Sequence, residues 1–269
     1  MQSLVRLRAA GVFGQIAHWI AISHAQKRIH TRIGIPEEKI SVLHHFYDGP
    51  QTQGQVHGGD MLFVGRLSPE KGVRLLVDTW LEEKIEDRCL WIVGEGPIRG
   101  ELEQRARNCA NIKFTGFLSG PELEAVWHKA ALTVVPSIWE EAFGRVIIES
   151  WAHGVPVLAA RNGALPELVE STGAGWLFDP NSPGNLGQML RVILADEPSL
   201  SAVAARCRTA MADFSGDKWL TRMEQILQQV VARQAPRDSK VGDFGTKGDG
   251  KLDDIRAPAP PPTQTPKFA

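Results

Sequence analysis

Short apolar runs recur along the chain, and stretches with a helical period lie between them. MLFV (61–64), CLWIV (89–93), NIKF (111–114), LTVV (132–135), PVLA (156–159) and GWLF (175–178) read as buried strands. Between the first two, Val73, Leu76, Val77, Trp80 and Leu81 recur at i, i+3, i+4, i+7 and i+8, one face of an amphipathic helix. GELEQRARN, GPELEAVWHKA and GRVIIESWAHG repeat the helical signal between later strands. Continuous apolar strands alternating with helices predict a parallel sheet covered on both faces. The fold class is therefore α/β, a Rossmann-like doubly wound sheet.

The two ends of the chain differ from this middle. WIAIS (19–23) reads as another strand, His24 to Arg32 as a helix ending near Gly34, and KISVLHH (39–45) as one more strand. DGPQTQGQVHGGD (48–60) holds four glycines and a proline and reads as a linker. Three helical patterns follow the last strand, at 183–195, 199–212 and 217–233. From Pro236 the composition turns to Gly, Asp and Lys and then to APAPPPTQTP, so residues 236–269 are expected to be a disordered Pro/Gly-rich tail. A proline-rich ligand for a recognition domain is the alternative there. The domain plan is a partial N-terminal unit (1–47), a linker (48–60), the sheet domain (61–213), a C-terminal helix (214–235) and the tail.

Composition narrows the function classes. The 269 residues carry 30 basic and 31 acidic side chains, so no global field draws the chain to nucleic acid or to an anionic membrane. Cys89, Cys109 and Cys207 form no CxxC pair and leave an odd thiol, which argues against a disulfide scaffold or structural zinc and for a reducing compartment. No apolar run reaches the length of a membrane span. MQSLVRLRAAGVFGQIAHWIAIS has a signal-peptide outline that Gln15 and His18 interrupt. A cytoplasmic location is expected, with peripheral contact at the inner membrane face as the alternative. The eight histidines include no i, i+4 pair and no D-x-D motif is present, so neither a metal nor another cofactor is expected. Most of the eight tryptophans fall on predicted strands or helices and are assigned to core packing.

Polar chemistry concentrates where the strands end, the place where open parallel sheets bind ligands. Gly65, Arg66 and Lys71 follow the first strand of the sheet domain, Gly94-Glu95-Gly96-Pro97 the second and Thr115-Gly116-Phe117 the third. Pro136, Ser137 and WEEAFGR follow the fourth, and RNGALPE (161–167) follows the fifth as a loop. Two cations, flexible backbones and clustered carboxylates on one rim suit a phosphorylated ligand with hydroxyl groups. Arg66 and Lys71 also read as ordinary solvated charges. A lysine in the first turn of a helix, however, opposes the macrodipole unless an anion binds there. VGEGPIRG nearly matches a dinucleotide fingerprint, but Arg99 replaces the third glycine, which favours a tight turn. In EEAFGRVIIESWAHGVPV, Phe143-Gly144 opens a helix that is apolar nearly all round. A carboxylate at Glu149 is costly in such a helix unless hydrogen-bonded, so Glu149 is either a ligand group or a satisfied structural charge. Whether Glu140 or Glu141 faces the cleft stays open.

Residues 61–213 resemble the C-terminal, donor-binding domain of the family 4 glycosyltransferases, a retaining group with the GT-B fold. The resemblance rests on FVGRLSPEKGVRLLV, IVGEGPIRGEL, IKFTGFLSGPEL, VVPSIWEEAFGRVIIESWAHGVPVLA and GALPELVESTGAGWLF, which include the family's E-x7-E pattern. Residues 17–48, with ISHAQKRI and GIPEEKISVLHHFYD, resemble the last strand–helix–strand of that family's N-terminal domain.

The resemblance implies a nucleoside-diphosphate-sugar donor and a hexosyl transfer with retention, without a metal. It assigns Arg66 and Lys71 to the donor's diphosphate, Glu141 to the transferred sugar near the reacting centre, and backbone amides at Phe143, Gly144 and Arg145 to sugar and phosphate. Glu149 matches the ribose ligand, and Phe117 lies where the base is held. Arg145 departs from the apolar residue most common in the family. Only the end of the N-terminal domain matches, so the acceptor is unidentified, and a second polypeptide supplying the acceptor domain is one implied partner. A non-catalytic nucleotide-sugar-binding subunit or inactive fragment is the rival reading, and a nucleotide-sugar epimerase a third.

Overall fold

In the computed structural model, residues 11–51 and 59–234 are described. Near the N-terminus, β1 (Trp19–Ala21) and β2 (Ile40–Val42) pair in parallel, joined through helix α1 (His24–Arg32). Ser23 caps α1 by accepting from the Gln26 amide at 2.9 Å. Phe13, Ala21, Ile35 and Ile40 form a small core of their own beneath this unit.

The larger sheet has six strands: β3 (Asp60–Val64), β4 (Leu90–Val93), β5 (Ile112–Gly116), β6 (Ala130–Val135), β7 (Val157–Ala160) and β8 (Gly175–Phe178). All pair in parallel, in the order β5-β4-β3-β6-β7-β8. The helices between them are α2 (Val73–Glu83), α3 (Arg99–Arg105), α4 (Gly120–Trp127), α5 (Arg145–Ala152) and α6 (Leu165–Thr172). After β8 come α7 (Asn185–Ala195), α8 (Glu197–Met211) and α9 (Gly216–Gln234). Helix α2 touches α3 and α7, while α8 touches α5 and α6, so the sheet lies between two helical layers. Every residue of β6 is buried, as a strand covered on both faces requires.

The expected strands and amphipathic helices are therefore present. Helix α6 is a correction, because RNGALPE had read as loop. Pro166 stands in the first turn of α6, where a missing N–H breaks no helical bond. The tryptophan expectation holds for Trp80, Trp127 and Trp151, which are buried, but Trp139 is exposed on the loop after β6. The tail expected over 236–269, the first ten residues and most of the linker (52–58) lie outside the described residues. No helix among the described residues is long and apolar enough to cross a membrane.

Trp151 on α5 packs fully buried in the main core, and its indole N–H donates to the Ala174 carbonyl at 2.8 Å. Trp151→Ala should lower unfolding stability by about 3–5 kcal/mol, as emptying a large aromatic site does. Trp151→Phe, which mainly leaves the Ala174 carbonyl without its donor, should cost about 1–3 kcal/mol. Denaturant titration of both variants gives the comparison.

Candidate functional site

The loops after β3 and β6 part company above two adjacent strands and are stitched together at their bases. The Ile138 amide donates to the Glu70 carbonyl at 3.1 Å, and Ser137 Oγ lies 3.2 Å from the same carbonyl. Above that stitch, Lys71 Nζ donates to Glu141 Oε1 at 2.6 Å, and Ser137 Oγ lies 2.7 Å from the same oxygen. Glu141 is thus the inward carboxylate, with its side chain 15% exposed, while Glu140 faces solvent. Lys71 is not in the first turn of an α-helix as the sequence implied. It ends a 3-10 turn (Pro69–Lys71), and α2 begins at Val73. The macrodipole argument for an anion at Lys71 lapses, and its contact with Glu141 takes over.

Gly144 caps α5 with φ of 96°, a left-handed conformation that glycine adopts without strain, and no side chain caps this helix end. The first amides of α5 therefore remain available at the rim next to Glu141, which suits an anion. Phe143 is buried beneath the turn. Arg145 is exposed and donates Nε to Glu149 Oε1 at 3.0 Å, one turn along α5. The expectation of a carboxylate buried in an all-round apolar helix is corrected here. Glu149 occupies the open side of α5, with its side chain 29% exposed. Arg66 is exposed at the end of β3. The Gly65 amide donates to Val93 O at 3.0 Å, and the Leu67 amide to Glu95 O at 2.8 Å, which ties the β3 and β4 loops together. Phe117, 76% exposed, stands after β5, three strands from β6, or about 14 Å at the usual spacing. No cluster of three His, Cys, Asp or Glu side chains suited to a metal occurs among the described residues.

Sequence reasoning missed three groups beside the rim. His44 and His45 follow the carboxyl end of β2, and both rings lean on Phe143, with centroids at 5.6 and 5.1 Å. Burial, then the charges of Arg145 and His44, lowers the His45 pKa. Tyr47 lies next along this segment, with its hydroxyl donating to Pro50 O at 3.1 Å. Their position after a parallel strand was the one available signal.

A family model described as "Glycosyl transferases group 1" matches residues 58–196. The chain is 30% identical over 170 residues to the sulfoquinovosyl transferase SQD2 of Arabidopsis thaliana, covering 61% of this chain and 32% of that protein. It is 26% identical over 233 residues to a D-inositol 3-phosphate glycosyltransferase of Salinispora arenicola, covering 81% and 48%. The chain thus spans about a third to a half of these relatives. Among solved structures, Anabaena Alr3699/HepE in complex with UDP and glucose superposes with a TM-score of 0.70 at 24% identity, covering 85% of this chain and 67% of that one. That likeness places the fold among GT-B glycosyltransferase structures.

Tyr47 reports on this wall of the site because it is the one tyrosine in the sequence. Burial first, then the nearby Glu124 and Glu149 carboxylates, pushes its pKa up to about 12. Ultraviolet difference titration should show phenolate appearing near pH 12, and Glu149→Gln should bring that pH down. The sign follows from linkage: the phenol's contribution to stability is intact below about pH 10 and is lost as pH rises through its folded pKa.

Proposed function

The chain belongs to the Glycosyl transferases group 1 family, and we propose that it is the donor-binding half of a retaining hexosyltransferase that uses a nucleoside-diphosphate sugar. The observation that carries this reading is the Lys71–Glu141–Ser137 cluster beside the open N-terminus of α5. A carboxylate, a cation and free helix amides converge there on one spot. The rim order supports it as well. Phe117, Arg66 with Lys71, and Glu141 stand after β5, β3 and β6, in the spatial sequence base, diphosphate, sugar. The solved neighbours with UDP and with UDP-glucose support a nucleotide-sugar donor.

In this reading Arg66, Lys71 and the α5 amides take up the negative charge that builds on the departing diphosphate, and no metal is needed. The donor draws Lys71 from Glu141, and the freed carboxylate holds a hydroxyl of the transferred sugar while the anomeric carbon becomes oxocarbenium-like. The acceptor hydroxyl attacks from the face the diphosphate leaves, passes its proton to the departing phosphate oxygen and so retains the configuration. Glu149 accepts from the ribose hydroxyls, with Arg145 steadying it. The β1–α1–β2 unit corresponds to the end of an acceptor domain, and a second polypeptide supplying the acceptor surface is part of this reading.

Arg66→Ala should weaken a nucleoside diphosphate by roughly tenfold, near the lower end for truncating a charge pair in a partly solvated cleft. The matching nucleoside should bind as before. Glu149→Gln should weaken nucleoside and nucleotide alike. Titration calorimetry on the two variants decides it, and equal loss for both ligands in Arg66→Ala would sink the phosphate assignment.

A further inference from the structure

The first turn of α6 joins two parts of the molecule that are distant in sequence. On its rim side, Ala164 N donates to the Glu141 carbonyl at 2.8 Å. Gly163, with φ of 57°, lies so close that a Cβ there would sit 2.3 Å from the Glu141 nitrogen. Leu165 packs under the turn that opens α5, since a Cβ on Gly144 would meet Leu165 Cδ2 at 2.5 Å. Three successive residues of α6's start thus hold the backbone of Glu141 and Gly144.

In the same first turn, Glu167 reaches across to the N-terminal unit. Its two carboxylate oxygens accept from the His24 and Ala25 amides, each at 3.0 Å, and so cap the N-terminus of α1 from across the chain. The carboxyl is pulled in two directions: burial raises its pKa, while the His44 contact and the two amides outweigh burial and hold it below the usual carboxylate range. His44 Nε2 lies 3.4 Å from Glu167 Oε1. That nitrogen is buried and has no aligned hydrogen-bond partner, so the carboxylate is the charge it faces. The His44 ring stacks on Phe214 and leans on Phe143, the residue before Gly144. Two routes therefore run from Glu167 to the same turn. One passes through the stiff first turn of α6, and the other through His44 and Phe143.

We propose that Glu167 is a positioning residue for the rim: by clamping the start of α1 and His44, it sets the Glu141–Gly144 turn on which donor binding depends. The nucleotide part of this statement rests on the function proposed above. Glu167 touches no reacting atom. Its effect is to make the geometry of the diphosphate-binding turn depend on the seating of the β1–α1–β2 unit.

Hydrogen-exchange mass spectrometry on the full chain, free of ligand, tests the coupling in wild type, Glu167→Ala and the isosteric Glu167→Gln. In Glu167→Ala the amides of His24 and Ala25 should exchange faster, and those of Glu141–Arg145 should follow, while β4 keeps its protection. Glu167→Gln retains one acceptor oxygen and should fall between. UDP affinity by calorimetry should drop about fivefold in Glu167→Ala, the lower end of typical coupling between sites. Faster exchange confined to His24 and Ala25, or an unchanged UDP affinity, would overturn the proposal. So would uniform acceleration that includes β4 in the Gln variant, because the effect would then be global loss of stability. If wild type binds no UDP, the nucleotide reading fails, and the exchange arm still decides the coupling.

Discussion

The parallel pairing of β3 with β6 is the constraint on which the site depends. The chain runs outward from β3 through β4 to β5, crosses back, and lays β6 against the other side of β3. Helices on one flank then lead away from those on the other, and the loops above the two central strands have to separate. Lys71 and Glu141, one from each of those loops, meet above this pair of strands. The pairing itself is irregular at its start, with a register shift between Asp60 and Met61, and Asp60 is occupied elsewhere: its carboxylate accepts from the Cys89 amide and the Trp91 indole at 2.9 and 2.8 Å.

Energetics separate what holds this architecture from what uses it. The core of Trp80, Trp151, Phe178 and the strand residues is fully buried, and that burial dominates stability. The Lys71–Glu141 pair stands partly exposed at the rim, where such pairs are worth about 0–1 kcal/mol. So small a contribution does not stabilise the fold in any important way, and it leaves Lys71 easy to draw onto a more highly charged ligand. The Ser137 hydroxyl, 2.7 Å from Glu141 Oε1, is a second hold on the carboxylate that does not depend on the lysine.

Much of the fold was legible because strands covered on both faces leave unbroken apolar runs, as in LTVV, and helices leave the 3.6 period, as from Val73 to Leu81. Helix α6 was not, because Gly163 and Pro166 carry loop signals that a helix start also tolerates. The rim residues were legible by their place after strands and by the resemblance they carry. Their roles relative to one another were not. Glu140 and Glu141 differ by one position in an irregular loop, and no periodicity separates them. Glu149 sat in a segment whose apolar count hid an open face. Glu167 was visible only as the end of the polar RNGALPE segment, and its role was not, since its partners at His24 and Ala25 lie 143 and 142 residues away.

That separation has a consequence for synthesis. The β1–α1–β2 unit leaves the ribosome long before the carboxylate that caps its helix, and its own core amounts to four buried side chains. A piece so small cannot hold a stable fold unaided. At about 5–20 residues per second, the 143 residues between His24 and Glu167 take about 7–30 s to be made. Phe214, whose carbonyl accepts from the Tyr47 amide at 2.9 Å, emerges later still. For that interval the β1–α1–β2 unit lacks the Glu167 carboxylate on its helix and the Phe214 carbonyl on Tyr47, so its final seating waits on segments made much later.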